Sequence, residues 1–497
     1  MALISIIEGF RPLNDERLLA RAAALTPPLL RERRGPLHLP EESFGKGESL
    51  ILDFGGHLVG RLSLTLAFSG SHPDAPAFLR LRFAETLREL EENAQESRGW
   101  LSQSWIQEEQ LHVDLVPSEI CLPRRYAFRY VKLTVLDTSP KYRLRITQAA
   151  CLTESSADWR GVRSLQSGDA LLDRIHAVSL KTLADCMQEV LEDGPKRDRR
   201  LWLGDLRLQT LTNAVSFRHF DLVKRCLYLF GGSRFPDGRV SANVFAGPEP
   251  AADDTFLFDY ALLFPVVLEE YLCETGDAEA LDDLYDIAMA QIDYGLAQQE
   301  RGVMNARAVK DSFIDWSDTL DKSACAAAVL LYALPYAQAL AERKGDRERA
   351  AGLQARREEL RRDLMARYWD ETKQCFVSNG QISAASQVWM VLADAATPGQ
   401  ARAAMEKALT LTGEPRMTTP YMHHYFVMAL LRAGLKDEAE RHLRAYWGGM
   451  LASGADTFWE CWDPERPDHS PYGGLLLNSF CHAWSCTPAW IIEKHLL

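Results

Sequence analysis

The chain has no uninterrupted run of the ~18 apolar residues that a membrane-spanning helix needs, so no transmembrane segment is expected. Its first residues, MALISIIEGF, offer only a short apolar stretch before Glu8 with no basic residue ahead of it, which argues against a secretory leader. No CxxC pair occurs. The ten cysteines are scattered, mostly inside apolar periodic stretches such as LADCMQEV and KSACAAAVL, so they read as small hydrophobes, without disulfides, in a cytoplasmic protein. Positive charge is in deficit: 56 Lys and Arg against 69 Asp and Glu leave a net charge of −13, a field that repels nucleic acid and anionic membrane but not neutral substrates. A glycine-rich phosphate loop after a strand, a G-x-S-x-G elbow and an H-E-x-x-H helix are all missing, and no cofactor is expected.

What is present begins with length. A chain of 497 residues exceeds the roughly 250 to 300 that one hydrophobic core sustains, so two or three domains are expected. Residues 1–45 read as an irregular lead-in. Over 46–160 the apolar period is two: Leu62, Leu64 and Leu66 alternate with Arg61, Ser63 and Thr65, and Tyr142, Leu144 and Ile146 with Arg143 and Arg145, the pattern of a β-sandwich. An acidic, Trp-bearing stretch from Glu85 to Trp105 reads as an excursion between strands. Over 161–497 nearly everything reads as helix, punctuated at Gly276-Asp277, Gly345-Asp346 and Gly434, with Thr419-Pro420 opening one helix and Ala439, Leu443, Tyr446, Trp447 and Met450 lining the next. Eleven to twelve helices fit six hairpins closed into an (α/α)6 barrel; the Gly turns lie 69 and 89 residues apart, unlike the short fixed period of an open solenoid.

The densest polar stretch is Glu192–Gln209, EDGPKRDRRLWLGDLRLQ. A helix from Ser167 to Leu191 precedes it, capped by Ser167 or Asp169, and Gly194, Pro195 and Gly204 are expected to interrupt any helix within it. Asp193, Arg197, Asp198, Trp202 and Asp205 then stand in a loop at the mouth of a helical hairpin, which reads either as a salt-bridged connector or as a polar binding site. Three later stretches interrupt the helices. In Asp311–Asp318, Trp316 offers a flat face suited to the C–H face of a pyranose, beside carboxylates that accept from hydroxyls. In GADTFWECWD, Glu460 stands between Trp459 and Trp462, an apolar setting expected to raise its basicity. In NSFCHAWSC, Cys481, His482 and Cys486 lack the compact four-ligand spacing of zinc sites, so no metal is expected; His423-His424 read as helix packing.

The first stretch resembles the signature loop of the α-L-rhamnosidases of glycoside hydrolase family 78, D-C-P-x-R-[E/D]-x-x-x-W-x-G-D, here Asp193-Gly194-Pro195-Lys196-Arg197-Asp198-Arg199-Arg200-Leu201-Trp202-Leu203-Gly204-Asp205. The family's Cys is Gly194, and its acid, often Glu, falls on Asp198. FIDWSD and GADTFWE are similar to two further loops of that family, in the same order. The resemblance implies a β-sandwich followed by an (α/α)6 catalytic barrel, acting on a small carbohydrate: Asp198 as general acid, Glu460 as the base that activates water with inversion, and Asp193, Arg197, Trp202, Asp205, Trp316 and His482 binding the sugar. It leaves open a related (α/α)6 glycosidase taking another deoxyhexose or a uronic acid, and a binding protein that has lost catalysis. Oligomeric state is not legible.

Overall fold

The switch of apolar period near residue 165 marks the physical division of the chain in the computed structural model, which describes residues 12–92, 99–467 and 469–497. The period-two region forms one antiparallel seven-stranded sheet around a single core that includes Leu62, Leu64, Leu66, Leu79, Leu81, Phe128 and Ile146. Its backbone is the 22-residue strand Ser49–Gly70, which pairs with Tyr126–Asp137 through its first half and with Tyr142–Ser155 through its second. A register shift between Asp53 and Leu58 lets one strand serve both partners by adding local bend.

The expected lead-in is more ordered than its sequence suggests. Leu30–Arg34 adds an edge strand beside Tyr142–Ser155, and helix α1 (Glu16–Ala24), capped by Asp15, buries Leu18 and Ala22 in the core of the helical domain. The excursion expected over Glu85–Trp105 is described on both sides of residues 93–98, which lie outside the described residues.

The helical region follows as α2 (Ala170–Cys186), α3 (Leu203–Val215), α4 (Phe220–Gly232), α5 (Phe258–Thr275), α6 (Ala278–Ala297), α7 (Ser323–Lys344), α8 (Arg347–Tyr368), α9 (Ala384–Leu392), α10 (Pro398–Leu409), α11 (Pro420–Arg432) and α12 (Lys436–Ala452). Helices α3, α5, α7, α9 and α11 are buried for most of their length and form the inner ring; the charged faces of α8 and α12 lie outside. The sixth inner position is taken by the C-terminal segment around Ala483–Ile491, which packs on α2 and α3 and so closes the ring on its first helix. The punctuation acts as expected. Gly276, at φ 64°, ends α5 and Asp277 caps α6, while Thr419 caps α11 with Pro420 at its first position.

Two expectations are corrected. Helix α2 starts at its Asp169 cap but ends at Cys186, because Met187 turns back to pair with Leu191 and the Ser155 hydroxyl donates to the Ala184 and Met187 carbonyls. Gly204 interrupts nothing. It lies inside α3, where a Cβ would stand 2.3 Å from the Tyr260 ring, so its role is close approach of two inner helices. Helix α7, with mean hydropathy 1.6, is long and apolar enough to cross a membrane, although no unbroken apolar run marks it; its apolar window is 78% buried, as the core helix of a closed barrel requires.

Candidate active site

The N-terminal ends of α3, α5 and α7 open on a cavity of about 360 Å³. Its wall includes Asp193, Asp198, Trp202, Asp205, Trp316, Glu460 and His482, brought from four separate stretches of sequence. Of the residues expected there, only Arg197 is not on the wall. It is buried behind Glu460, its Nε donating to the Leu477 carbonyl at 2.8 Å and its guanidinium lying over the Tyr472 ring at 4.1 Å.

Arg197 links the two carboxylates. Its Nη2 donates to Glu460 Oε2, and its Nη1 stands 3.3 Å from Asp198 Oδ1. Because the guanidinium is rigid, the two oxygens it holds lie no more than about 8 Å apart. This corrects the expected basicity of Glu460. Burial does push that carboxyl up, but the Arg197 charge, with His482 and the Tyr472 hydroxyl that donates to Oε1, outweighs it and holds Glu460 below the usual carboxylate range. The Ser479 N–H adds a donor at 3.2 Å, and the Trp484 indole fixes the Glu460 carbonyl at 2.9 Å.

Asp193 and Asp205 go the other way. Burial, then Asp198 and Asp205, raise Asp193 well above its ordinary value; burial, then Glu460, raise Asp205. Asp193 also clasps its own loop, its N–H donating to the Arg200 carbonyl and its Oδ1 accepting from the Arg200 N–H, both at 3.0 Å. His482 lies between them, Nδ1 3.4 Å from Asp205 Oδ1 and Nε2 3.8 Å from Asp193 Oδ2. Burial lowers it to about 4, so the imidazole is neutral at neutral pH.

Several buried polar atoms on this wall make no hydrogen bond within the described chain: the indole nitrogens of Trp202 and Trp316, and Asp205 Oδ1 and His482 Nδ1, which face each other at 3.4 Å without hydrogen-bond geometry. Unpaired buried donors and acceptors are costly unless a ligand satisfies them. Donors, acceptors and flat aromatic faces in one small cavity suit a neutral ring bearing several hydroxyls.

The Trp316 loop is held under strain. Ile314, a β-branched residue, has φ 57°, and the Asp259 carboxylate fixes it by accepting from the Phe313 and Ile314 N–H groups at 2.9 Å. Asp315, raised to about 6 by burial, ties the loop to the start of α11 through Thr418 and Thr419. Asp315 and Trp484, which stand inside the motifs above without an assigned role, line the cavity as well, and so does Tyr472, which lies in none of those motifs.

One grouping among the described residues has metal-ligand geometry: His57, Asp185 and Cys481, with donor atoms within 4.8 Å of one another. Its atoms are already engaged. His57 bridges Asp185 at 2.7 Å and Glu85 at 3.0 Å, and Lys181 also binds Asp185. Burial opposes charge on His57, yet Cys481, Asp185 and Glu85 raise it well above its ordinary value, so the cation here is an imidazolium. Beside it, Lys196 of the signature loop binds Glu89 and donates to the Asn478 carbonyl at 2.8 Å, and Glu85 accepts from the Phe480 N–H at 2.6 Å. The sheet domain thereby pins the loops that carry Arg197 and His482.

A helical barrel that opens its inner N-terminal mouth on such a cavity is that of a six-hairpin glycosidase. The chain belongs to the bacterial α-L-rhamnosidases of glycosyl hydrolase family 78: residues 160–495 match the bacterial alpha-L-rhamnosidase 6 hairpin glycosidase domain, and residues 30–153 the family 78 alpha-rhamnosidase N-terminal domain. Among solved structures it is similar to a rhamnosidase from Klebsiella oxytoca with rhamnose bound, at 44% identity and TM-score 0.95, over 98% of this chain and 100% of that one. It shares its fold with the family 78 rhamnosidase of Bacillus sp. GL1, at 21% identity and TM-score 0.74, over 96% of this chain and 48% of that one. The Streptomyces avermitilis α-L-rhamnosidase complexed with L-rhamnose, at 19% identity and TM-score 0.70, matches over 94% of this chain and 44% of its own. Curated protein sequences returned no significant match.

Proposed function

We propose that the protein hydrolyses terminal α-L-rhamnosyl residues from small glycosides or oligosaccharides with inversion. The observation that carries this reading is the Arg197 bridge: one buried guanidinium holds Glu460 ionised and touches Asp198, on the wall of a cavity lined with unpartnered sugar-binding groups. Asp198 donates its proton to the glycosidic oxygen as the bond to the anomeric carbon breaks. Glu460 takes a proton from the water that attacks the opposite face, so the leaving group departs as an alcohol and the sugar as a free hemiacetal. Asp193, Asp205 and His482, with the indoles of Trp202 and Trp316, hold the ring.

A panel of nitrophenyl glycosides tests the substrate: hydrolysis of the α-L-rhamnoside above all others is expected. Preference for another deoxyhexoside or a uronide points to a different glycosidase, and hydrolysis of none to a binding protein. Stereochemistry tests the pairing. An inverting site keeps its carboxyl groups roughly 6.5 to 9.5 Å apart, against about 5 to 5.5 Å for a retaining one. Proton NMR of the first product, read before mutarotation, should show β-L-rhamnose; an initial α anomer would overturn Glu460 as the base.

The reading extends to a cytoplasmic location, supported by ten free thiols. Thiol titration of the denatured, unreduced protein should find all ten, including Cys186 and Cys481, whose sulfurs lie 3.9 Å apart. Several paired cysteines would reverse that assignment.

A further inference from the structure

Asp198 lines a second cavity as well. On its other side a cleft of about 560 Å³ runs between the sheet domain and the barrel, and Asp198 is the residue the two cavities share. A proton donor at such a junction has the sugar on one side and the leaving group on the other. Five arginines face the cleft: Arg31, Arg61 and Arg125 from the sheet domain, and Arg199 and Arg200 from the signature loop.

Four of them are paired. Arg61 and, at 3.7 Å, Arg31 share Glu154; Arg125 binds Glu192 at 2.7 Å; Arg200 stands 3.6 Å from Asp253 and over the Phe245 ring. Arg199 has no carboxylate within ion-pair distance among the described residues. Its Nη2 donates to the Arg125 carbonyl at 2.9 Å and its buried Nε has no partner; of the other two carboxylates lining the cleft, Asp198 lies against Arg197 and Glu189 is exposed. Burial and the nearby Arg125 depress the guanidinium to about 10, and Glu192, already bound by Arg125, offsets this only in part. Arg199 is also held at φ 58°, a left-handed conformation costly for a side chain of its size. Trp105 and Phe245 supply flat apolar faces on the same walls.

We propose that this cleft is the leaving-group subsite and that it takes an acidic sugar, a uronate whose carboxylate pairs with Arg199. The proposal rests on the reading of Asp198 as the proton donor to a rhamnosyl bond. A neutral leaving group would leave Arg199 unpaired and partly desolvated, whereas a carboxylate matches its fork of donors and supplies the missing charge.

The test compares rhamnosyl-(1→2)- and rhamnosyl-(1→4)-uronic acids with their methyl esters, which keep the shape and lose the charge. For at least one linkage kcat/KM for the acid should exceed that for the ester about tenfold, the worth of one charge-assisted hydrogen bond. Added salt should shrink the ratio. Arg199→Gln should bring it to about one and Arg199→Lys should retain part of it, while both variants hydrolyse nitrophenyl α-L-rhamnoside within about twofold of the parent, which also shows that they fold. Esters cleaved as fast as acids in both linkages, or a ratio unmoved by salt and by Arg199→Gln, would overturn the subsite. Should the variants fail to fold, the acid-to-ester ratio of the parent and its salt dependence decide alone. A chain inert toward the nitrophenyl rhamnoside overturns the rhamnosidase reading itself, and the subsite with it.

Discussion

Glu460→Gln is expected to lower kcat/KM for any rhamnoside about 10³- to 10⁴-fold, the upper range for loss of a general base. The amide keeps the shape: its one oxygen, set where Oε2 stands, still accepts from the Ser479 N–H, while its NH2 donates to a Tyr472 hydroxyl that turns to accept, so the sugar pocket survives and KM changes little. The same change removes the counter-charge of Arg197, which is 4% exposed, and an uncompensated buried charge costs roughly 3 to 5 kcal/mol. The unfolding midpoint should therefore fall together with activity. The pH profile separates the two effects. In the parent enzyme Glu460 lies below the usual carboxylate range, so a base-limited kcat/KM should persist into acid below pH ~4.5. Arg197→Met removes the strongest force holding the proton off and leaves burial unopposed, so the acidic limb should move to higher pH. A limb that stays in place, or a Glu460→Gln enzyme retaining a tenth of its activity, would rule out Glu460 as the base.

The error about Glu460 shows where the sequence stops being legible. Its two flanking indoles are local and were read as an apolar setting; the arginine that reverses the outcome is 263 positions away in the chain and was read as a sugar ligand. Features written within one or two turns of backbone were legible: the Asp169, Asp277 and Thr419 caps, the left-handed Gly276, and the buried face of α12. The ordered motifs also located most of the cavity wall, because resemblance carries tertiary information that periodicity does not. What stayed hidden depends on packing between distant elements. Gly204 looks like a helix breaker until Tyr260 of another helix is placed against it, and Tyr472 is one aromatic among many until its hydroxyl meets Glu460. Lys196 carries no sign in sequence that Glu89 of the sheet domain will neutralise it, so the part that domain plays in supporting the site was not legible.

Asp198→Asn should produce a loss that depends on what is leaving. With sugar or alkyl leaving groups, which depart only as they are protonated, kcat/KM should fall about 10³-fold; with 2,4-dinitrophenyl rhamnoside, whose phenol needs no proton, it should fall less than about tenfold. The asparagine is isosteric, so binding of both substrate classes should hold. Three carboxyl groups compete for the role. Asp193 and Asp205 are the more deeply buried, and burial raises both carboxyls well above the ordinary range, but Asp193 spends one oxygen on the Arg200 N–H and Asp205 faces His482 inside the sugar cavity. Asp198 alone borders both cavities, with its side chain 18% exposed, where a departing oxygen would pass from one to the other. Its side chain is one methylene shorter than the glutamate common in the family's loop, so Asp198→Glu tests reach: a longer acid that restores activity on alkyl rhamnosides relative to Asp198→Asn supports direct protonation. Equal losses of Asp198→Asn on good and poor leaving groups would reduce Asp198 to a binding residue. The same pair of substrates applied to Asp193→Asn and Asp205→Asn would then identify the donor, by which variant discriminates between them.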